Sequence, residues 1–264
     1  MVAAAEIPGE MMAGSRKRDQ ALAELIESHD SSRGLLIAFE GPDGSGKTTQ
    51  RKLLQTWLES RGQPVVATKW ASSPLFKPLL KSRRRLRTMS VEEYSLLHAV
   101  DFRHRVETSI LPALWSGKTV LADRYLFTAL ARDAARGLDL DWLLHVYSPL
   151  LWPDLVIYFS MTPKDSSRRI ASTRSPRYYD AGQDVTGIDD PLTSYGSFID
   201  RVVTEYGNLA VVFKFVSVDA GEAVYRQHTH VRGLVQQAEK RSWSAFSKEA
   251  LEEWLNKTTR PSGS

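Results

Sequence analysis

The fold of this chain is decided by the stretch Gly41-Pro42-Asp43-Gly44-Ser45-Gly46-Lys47-Thr48. It matches in full the G-x-x-x-x-G-K-[ST] pattern of a phosphate-binding loop. The apolar run at 35–39 predicts a strand in front of the loop, and the apolar spacing within 47–58 predicts a helix behind it. A strand, a glycine-rich loop and a helix N-terminus in this order direct several backbone N–H groups at one polyphosphate. The stretch therefore predicts a site for a nucleoside triphosphate.

Individual positions of the loop have separate expected roles. Its glycines allow the backbone to approach the phosphates closely. Lys47 is expected to neutralise the β and γ oxygens, and the Thr48 hydroxyl to ligate Mg²⁺. Asp43 is a candidate to accept a hydrogen bond from a sugar hydroxyl or to orient a cation. The predicted nucleotide-binding residues are Gly41, Asp43, Gly44, Ser45, Gly46, Lys47, Thr48 and Thr49.

Composition bounds the class of protein. The chain has 264 residues, of which 42% are hydrophobic and 25% charged, as in an ordinary globule with one large α/β core. No run of 18 apolar residues is present in the sequence, so no membrane span is expected. The absence of cysteine excludes disulfides, thiolate catalysis and cysteine-ligated zinc. A triphosphate-binding loop favours a cytoplasmic location, where the nucleotide is.

The net charge is +4, and the one dense basic run is residues 77–87. A solvated helix face is its simplest interpretation, and an electrostatic funnel for anionic substrates is the main alternative. Aromatic residues are not interleaved with this run as stacking platforms would require. The sequence therefore does not favour a nucleic-acid partner.

From residue 34 onward, strand-like and helix-like segments alternate, which predicts a parallel sheet covered by helices. We expect a three-layer α/β fold, with residues 1–33 as an N-terminal appendage, 34–240 as the domain and 241–264 as a C-terminal helix and tail. The predicted strands are 35–40, 64–70, 119–123, 155–160 and 210–219. The predicted helices are 47–60, 74–87, 91–116, 125–147, 163–172, 191–208 and 222–239.

A second group of candidate residues follows the third predicted strand. Asp123 and Arg124 stand at its carboxyl end, the edge at which open α/β sheets bind ligands. Asp123, together with Thr48, is a candidate metal ligand, and Arg124 is a candidate two-pronged clamp on an acceptor phosphate. The alternative is a simple ion pair at the strand end.

The stretch at about 172–190 is a candidate lid. It is long, polar and glycine-containing, and it carries Arg174 and Arg177. Closure would exclude water and bring a guanidinium to the transferred group, where charge spreads in the transition state. An exposed loop with incidental arginines is the alternative.

Taken together, these motifs resemble the thymidylate kinases, a family of P-loop nucleoside monophosphate kinases. The resemblance covers roughly residues 34–238. It rests on the stretches 37–50, 106–107, 110–114, 123–125, 152–158 and 218–220. It implies a P-loop kinase fold with a five-stranded parallel sheet, ATP as donor, Mg²⁺, a nucleoside monophosphate acceptor and usually a homodimer.

The resemblance also implies roles for individual residues. It assigns Asp43 to the acceptor sugar, Arg124 to the acceptor phosphate and Asp123 to the neighbourhood of the metal. The basic catalytic residue of the family lies in the loop or in the lid. Because Gly44 occupies the corresponding loop position, the lid residues Arg174 and Arg177 are the better match, and the predicted catalytic set is Lys47, Asp123, Arg124, Arg174 and Arg177.

The acceptor side departs from the family pattern. Lys69-Trp70-Ala71-Ser72-Ser73 stands where the family commonly has Arg-Glu-Pro-Gly-Gly. His98 replaces a phenylalanine that stacks on thymine, and Phe102 replaces an arginine that reads the base, with Arg103 one place further on. Three hypotheses follow: a kinase for dTMP, a P-loop kinase for another nucleotide or nucleoside, and a nucleotide-binding regulatory module.

Overall fold

The protein is described by a computed structural model that covers residues 33–240. The predicted N-terminal appendage, apart from Arg33, and the predicted C-terminal helix and tail lie outside these residues. Within 33–240, no helix combines the length and the apolar character needed to cross a bilayer.

The centre of the fold is a sheet of five parallel strands in the order β2-β3-β1-β4-β5. The strands are β1 (Leu36–Glu40), β2 (Val65–Lys69), β3 (Thr119–Asp123), β4 (Leu155–Ser160) and β5 (Val216–Asp219). β1 lies in the middle, and its register pairs Phe39 with Asp123 of β3. The carboxyl end of β3 therefore lies beside the phosphate-binding loop, as predicted.

Helices cover both faces of the sheet. In chain order they are α1 (Lys47–Ser60), α2 (Lys77–Leu86), α3 (Val91–Arg105), α4 (Leu111–Trp115), α5 (Leu126–Ala134), α6 (Leu140–Tyr147), α7 (Pro163–Ala171), α8 (Tyr178–Ala181), α9 (Gln183–Thr186), α10 (Pro191–Val212) and α11 (Val224–Lys240). α1 and α11 pack on one face, whereas α3 to α6 and α10 pack on the other.

Alternation along β1 explains the three layers. Leu36 and Ala38 belong to the core cluster on the α3 to α6 side, and Ile37 and Phe39 to the cluster under α1 and α11. Every residue of β1 is buried, as expected for a strand covered on both faces. The predicted three-layer α/β class is confirmed.

One strand prediction was wrong over half of its length. Ala210, Val211 and Val212 form the last turn of α10, and β5 begins only at Val216. Four-residue spacing explains the difference, because Leu209 and Phe213 are buried on one side of the helix while Val211 is 82% exposed. This apolar run is the end of an amphipathic helix.

Three predicted segments are divided differently in the structure. The long helix at 91–116 contains a π-helical turn at Val106–Ile110, and Pro112 falls in the first turn of α4, where proline is tolerated. The helix predicted at 125–147 ends near Gly137, whose φ of 95° breaks it into α5 and α6. The polar stretch at 172–190 contains α8 and α9 rather than an irregular loop.

Candidate active site

The phosphate-binding loop is wrapped around the amine of Lys47. Gly41, Gly44 and Gly46 all have positive φ, which lets the backbone turn inward between β1 and α1. Lys47 Nζ donates to the carbonyl of Pro42 at 2.5 Å and to Ser45 Oγ at 3.0 Å. Gly46 is the N-cap of α1, so the free N–H groups of that helix open toward the same side. The loop therefore has the geometry that the motif predicts.

The charge of Lys47 depends on what occupies the site. The pKa of Lys47 is lowered to about 7, chiefly by burial and in part by the nearby Arg124, against the opposite influence of Asp43 and Asp123. Because a polyphosphate would favour the charged form, we expect the amine to gain a proton when an anion binds.

A pair of oxygen ligands lies next to the loop. Thr48 Oγ1 donates to Asp123 Oδ2 at 2.6 Å. A hydroxyl and a carboxylate at this separation fit Mg²⁺, which prefers hard oxygen ligands and takes its remaining ligands from water and phosphates. No cluster of three or more histidine, aspartate or glutamate side chains suited to a metal lies within residues 33–240.

Asp43 and two arginines form the charged centre of the acceptor side. Arg124 Nη2 donates to Asp43 Oδ1 at 2.6 Å, and Arg132 Nη1 donates to Asp43 Oδ2 at 3.2 Å. Burial opposes ionisation of Asp43, but the two guanidinium groups outweigh it and hold its pKa below the usual range. Asp43 is therefore a carboxylate shared between two cations.

Glu40, the last residue of β1, holds Arg124 in place and was missed in the sequence. Its carboxylate accepts from Tyr125 N at 2.8 Å, from Thr128 Oγ1 at 2.6 Å and from Tyr206 Oη at 2.9 Å. Arg124 itself has a φ of 68°, a backbone conformation that these neighbours help to fix. Burial raises the pKa of Glu40 in spite of these hydrogen bonds. The signal in the sequence that could have identified Glu40 was a charged residue at the end of an apolar strand.

These groups line one cleft of about 720 Å³ at the carboxyl edge of the sheet. The cleft brings together most of the predicted site residues: Asp43, Gly44, Gly46, Lys47, Thr48, Thr49, Asp123, Arg124, Arg174 and Arg177. Gly41 and Ser45 support the loop from behind, because Gly41 O accepts from Arg124 and Ser45 Oγ accepts from Lys47. Residues far apart in the sequence thus meet around one space.

The 172–190 segment contributes two exposed arginines to this cleft. Within residues 33–240, the guanidinium groups of Arg174 and Arg177 form no ion pair, so their charge is available to an anion. Asp180 in α8 ties the segment to its surroundings, since it pairs with Arg84 at 2.5 Å and its carbonyl accepts from Arg132 at 2.9 Å. Arg132 was missed in the sequence, although it lies two helical turns beyond Arg124.

One wall of the cleft consists of aromatic side chains. The rings of Trp70 and His98 are 5° from parallel, with centroids 5.9 Å apart. Phe102 lies behind this wall, 2% exposed and edge-on to Tyr125. Arg103 forms an ion pair with Glu107 and is not among the residues that line the cleft. Neither Phe102 nor Arg103 takes the place of the family's base-reading arginine.

A P-loop, an oxygen pair for a metal and a facing guanidinium, all at the carboxyl edge of a parallel sheet, define a P-loop phosphotransferase with two anion subsites. A sequence profile of thymidylate kinases matches residues 39–184. The chain therefore belongs to the thymidylate kinase family, and it is an enzyme of the nucleoside monophosphate kinase class.

Relatives from several organisms agree with this assignment. The chain is 36% identical to "Probable thymidylate kinase 2" of Saccharolobus solfataricus over 205 residues, which are 77% of this chain and 96% of the relative. It is 45% identical to "Probable thymidylate kinase" of Pyrococcus horikoshii over 147 residues, 52% of this chain and 70% of the relative. It is 34% identical to "Thymidylate kinase" of Bacillus velezensis over 151 residues, 54% of this chain and 70% of the relative.

Proposed function

We propose that this enzyme transfers the γ-phosphoryl group of ATP to dTMP, giving ADP and dTDP. Membership of the thymidylate kinase family supports this reaction. The observation that carries it is the single cleft in which Lys47 of the loop faces Arg124, with Asp43 and Asp123 beside them. In the reaction an oxygen of the acceptor phosphate bonds to the γ-phosphorus. The bond from that phosphorus to the β–γ bridging oxygen breaks, and ADP leaves.

The residues divide the work by position. The loop amides and Lys47 hold the donor phosphates and neutralise their charge. Arg124 exchanges part of its hold on Asp43 for the acceptor phosphate, and Asp43 then accepts from the acceptor sugar. The exposed Arg174 and Arg177 reach the transferred group as the 172–190 segment closes. Both substrates are thereby aligned head to head, and water is excluded.

Thr48 and Asp123 would hold Mg²⁺, which would offset the charge of the donor phosphates. The hydrogen bond from Thr48 Oγ1 to Asp123 Oδ2 keeps these two oxygens together beside the loop.

A coupled assay for ADP release tests the proposal directly. Purified enzyme is given ATP, Mg²⁺ and dTMP, and Lys47→Ala serves as the control with an altered donor site. Turnover on dTMP well above that control supports the proposed reaction. Turnover equal to the control, with ATP still bound by the unaltered enzyme, contradicts it and favours a regulatory role.

A second candidate keeps the reaction and changes the acceptor. It is favoured by the departures on the acceptor side, where Lys69 offers phosphate a point charge and Phe102 offers the base no donor. Profiling all natural nucleoside monophosphates under identical conditions separates the two candidates. A higher kcat/KM for another monophosphate than for dTMP would establish the second.

We further propose that the enzyme is a cytoplasmic homodimer. The support is an apolar groove of about 510 Å³ along α3, where Leu96 and Val100 are 46% and 44% exposed beside Val146 and Pro149. A second copy of the chain is the expected occupant, because exposed apolar surface of this kind marks interfaces. Sedimentation should show a dimer for the unaltered chain and a monomer for Val100→Glu. Val211→Glu, at an exposed valine of α10 outside the groove, is the control and should remain dimeric.

A further inference from the structure

His98 presents one ring nitrogen that the fold leaves unused. Its Nδ1 lies 2.7 Å from the carbonyl of Tyr94, which has no proton to give, so Nδ1 carries the proton and donates. Nε2 is then a bare acceptor. It has no hydrogen-bond partner within the described part of the chain, although the residue is only 2% exposed and lines the substrate cleft. Buried polar atoms without a partner are rare and call for an explanation.

The imidazole remains neutral over the physiological range. The pKa of His98 is lowered to about 3, chiefly by burial and in part by the nearby Arg84 and Arg136, against the opposite effect of its hydrogen bond to Tyr94. Since the ring does not gain a second proton, the buried Nε2 carries a lone pair and has no N–H to donate.

Trp70 supplies a flat surface next to this lone pair. Its indole is half-buried and lines the cleft, with the Arg105 guanidinium 5.4 Å from its centre and Tyr147 6.4 Å away. Parallel rings whose centroids are 5.9 Å apart are too distant for direct face-to-face contact and fit an offset stack. Because the two rings are nearly parallel, a base stacked on the indole would also be nearly parallel to the imidazole.

We propose that the acceptor base stacks on Trp70 and donates an in-plane N–H to Nε2 of His98, which for thymine is the imide N3–H. This inference rests on the proposed function, because it takes the acceptor to be a nucleoside monophosphate. A cytosine in the same position would bring the lone pair of its N3 against that of Nε2. The contact therefore favours imide bases over cytosine.

The assignment accounts for both departures of α3 from the family pattern. In the family pattern the side chain at position 98 stacks on the base and the side chain at position 102 makes the polar contact. In this chain Trp70 would supply the stacking surface and His98 the polar contact. Phe102 is then free to pack against Tyr125 in the core, where its ring centroid lies 5.0 Å away. The base is read through its N–H rather than through its carbonyl oxygens.

The test compares dTMP with its N3-methyl derivative, which keeps the stacking surface and the phosphate but lacks the N3 proton. The unaltered enzyme should use dTMP at least tenfold better in kcat/KM, as expected for a lost hydrogen bond with a buried acceptor left unpaired. His98→Phe keeps an aromatic ring and removes the lone pair. It should lower kcat/KM for dTMP about tenfold and shrink the preference for dTMP over the methyl derivative.

The matched control is His145→Phe. His145 makes the same kind of contact, from Nδ1 to the carbonyl of Asp141 at 2.7 Å, but lies exposed on α6 outside the cleft. This variant should prefer dTMP over the N3-methyl derivative as strongly as the unaltered enzyme does. A thermal melt and ATP affinity equal to those of the unaltered enzyme show that His98→Phe is folded.

Calorimetric binding of dTMP and N3-methyl-dTMP without ATP separates this inference from the proposed reaction. Weaker binding of the methyl derivative to the unaltered chain, with the difference reduced in His98→Phe, supports the contact even where turnover fails. Equal binding of the two ligands overturns it, and so does a preference that His98→Phe leaves intact. Binding of neither ligand also overturns it. Turnover on dTMP with no such preference would leave the proposed reaction standing and the His98 contact refuted.

Discussion

The two sides of the cleft are built in different ways. On the phosphate-binding edge, glycine turns and strand ends fix the positions of three polar side chains that each have an internal partner: Lys47 on the loop, Thr48 on Asp123 and Arg124 on Asp43. The base-facing wall consists of aromatic rings from α3 and the end of β2, with one ring nitrogen left over. The geometry of the edge is set by the backbone, whereas the chemistry of the wall is set by individual side chains.

One fold can therefore keep the same phosphoryl-transfer chemistry while the side chains on its acceptor side vary. Phosphates are the same in every nucleotide, so the edge that binds them tolerates little change. Bases of similar size differ in the donors and acceptors along their edges, and one side chain can distinguish between them. We therefore expect substitutions on the phosphate-binding edge to lower the rate most and to leave discrimination between bases unchanged.

Lys47→Ala should have the largest effect. The substitution removes a positive charge that lies beside the transferred phosphoryl group. We expect kcat/KM to fall by about 10³-fold, as for other groups that stabilise transition-state charge. Lys52→Ala, on the exposed side of α1, is the control and should match the unaltered enzyme. Steady-state rates measure both. An active Lys47→Ala enzyme would contradict the role given to the phosphate-binding edge.

Arg124→Ala should come next, with kcat/KM for dTMP lower by about 100-fold. The loss should fall on acceptor use, so ATP affinity measured by calorimetry should change little. Arg124→Lys is not expected to restore activity, because an ammonium cannot form the two-pronged contact. Equal losses of donor and acceptor binding would show that Arg124 serves the whole site rather than the acceptor subsite.

Glu40→Gln should have a smaller effect on rate, about tenfold, together with a loss of about 1–3 kcal/mol in the free energy of unfolding. The amide cannot accept every hydrogen bond that the carboxylate accepts from α5 and Tyr206. Urea unfolding and steady-state kinetics measure the two effects, with the exposed Glu222→Gln as the control. Discrimination between dTMP and N3-methyl-dTMP should be unchanged. A change would show that the phosphate-binding edge also influences which base is accepted.

Proton uptake should be the smallest measurable effect. With a pKa of about 7, most Lys47 side chains are neutral at pH 8, and bound ATP raises that pKa. ATP binding at pH 8 should therefore take up close to one proton, and the uptake should fade as the pH drops through 7 toward 6. Calorimetry in buffers of different ionisation enthalpy measures it. Lys47→Met should abolish the uptake, whereas His98→Phe should not alter it.

The sequence was sufficient for the phosphate edge, because a P-loop requires a strand before it and a helix after it, and parallel strands bring their carboxyl ends together. It was insufficient where the outcome depends on burial. Val211 and Val212 are strand-forming residues, but the spacing of Leu209 and Phe213 places them in a helix. The partners of Asp43 are separated from it by 81 and 89 positions, and only the folded chain shows that one carboxylate serves both.

The sharing of Asp43 between Arg124 and Arg132 has a consequence for which anions the enzyme admits. A bare inorganic phosphate that draws Arg124 away leaves Asp43 with half of its counter-charge and offers nothing in return. A nucleotide offers a sugar hydroxyl at the same moment, and the displaced carboxylate oxygen then has a new donor. If Arg124 and Asp43 have the roles proposed above, the enzyme recognises phosphate and sugar as one unit and binds simple anions more weakly.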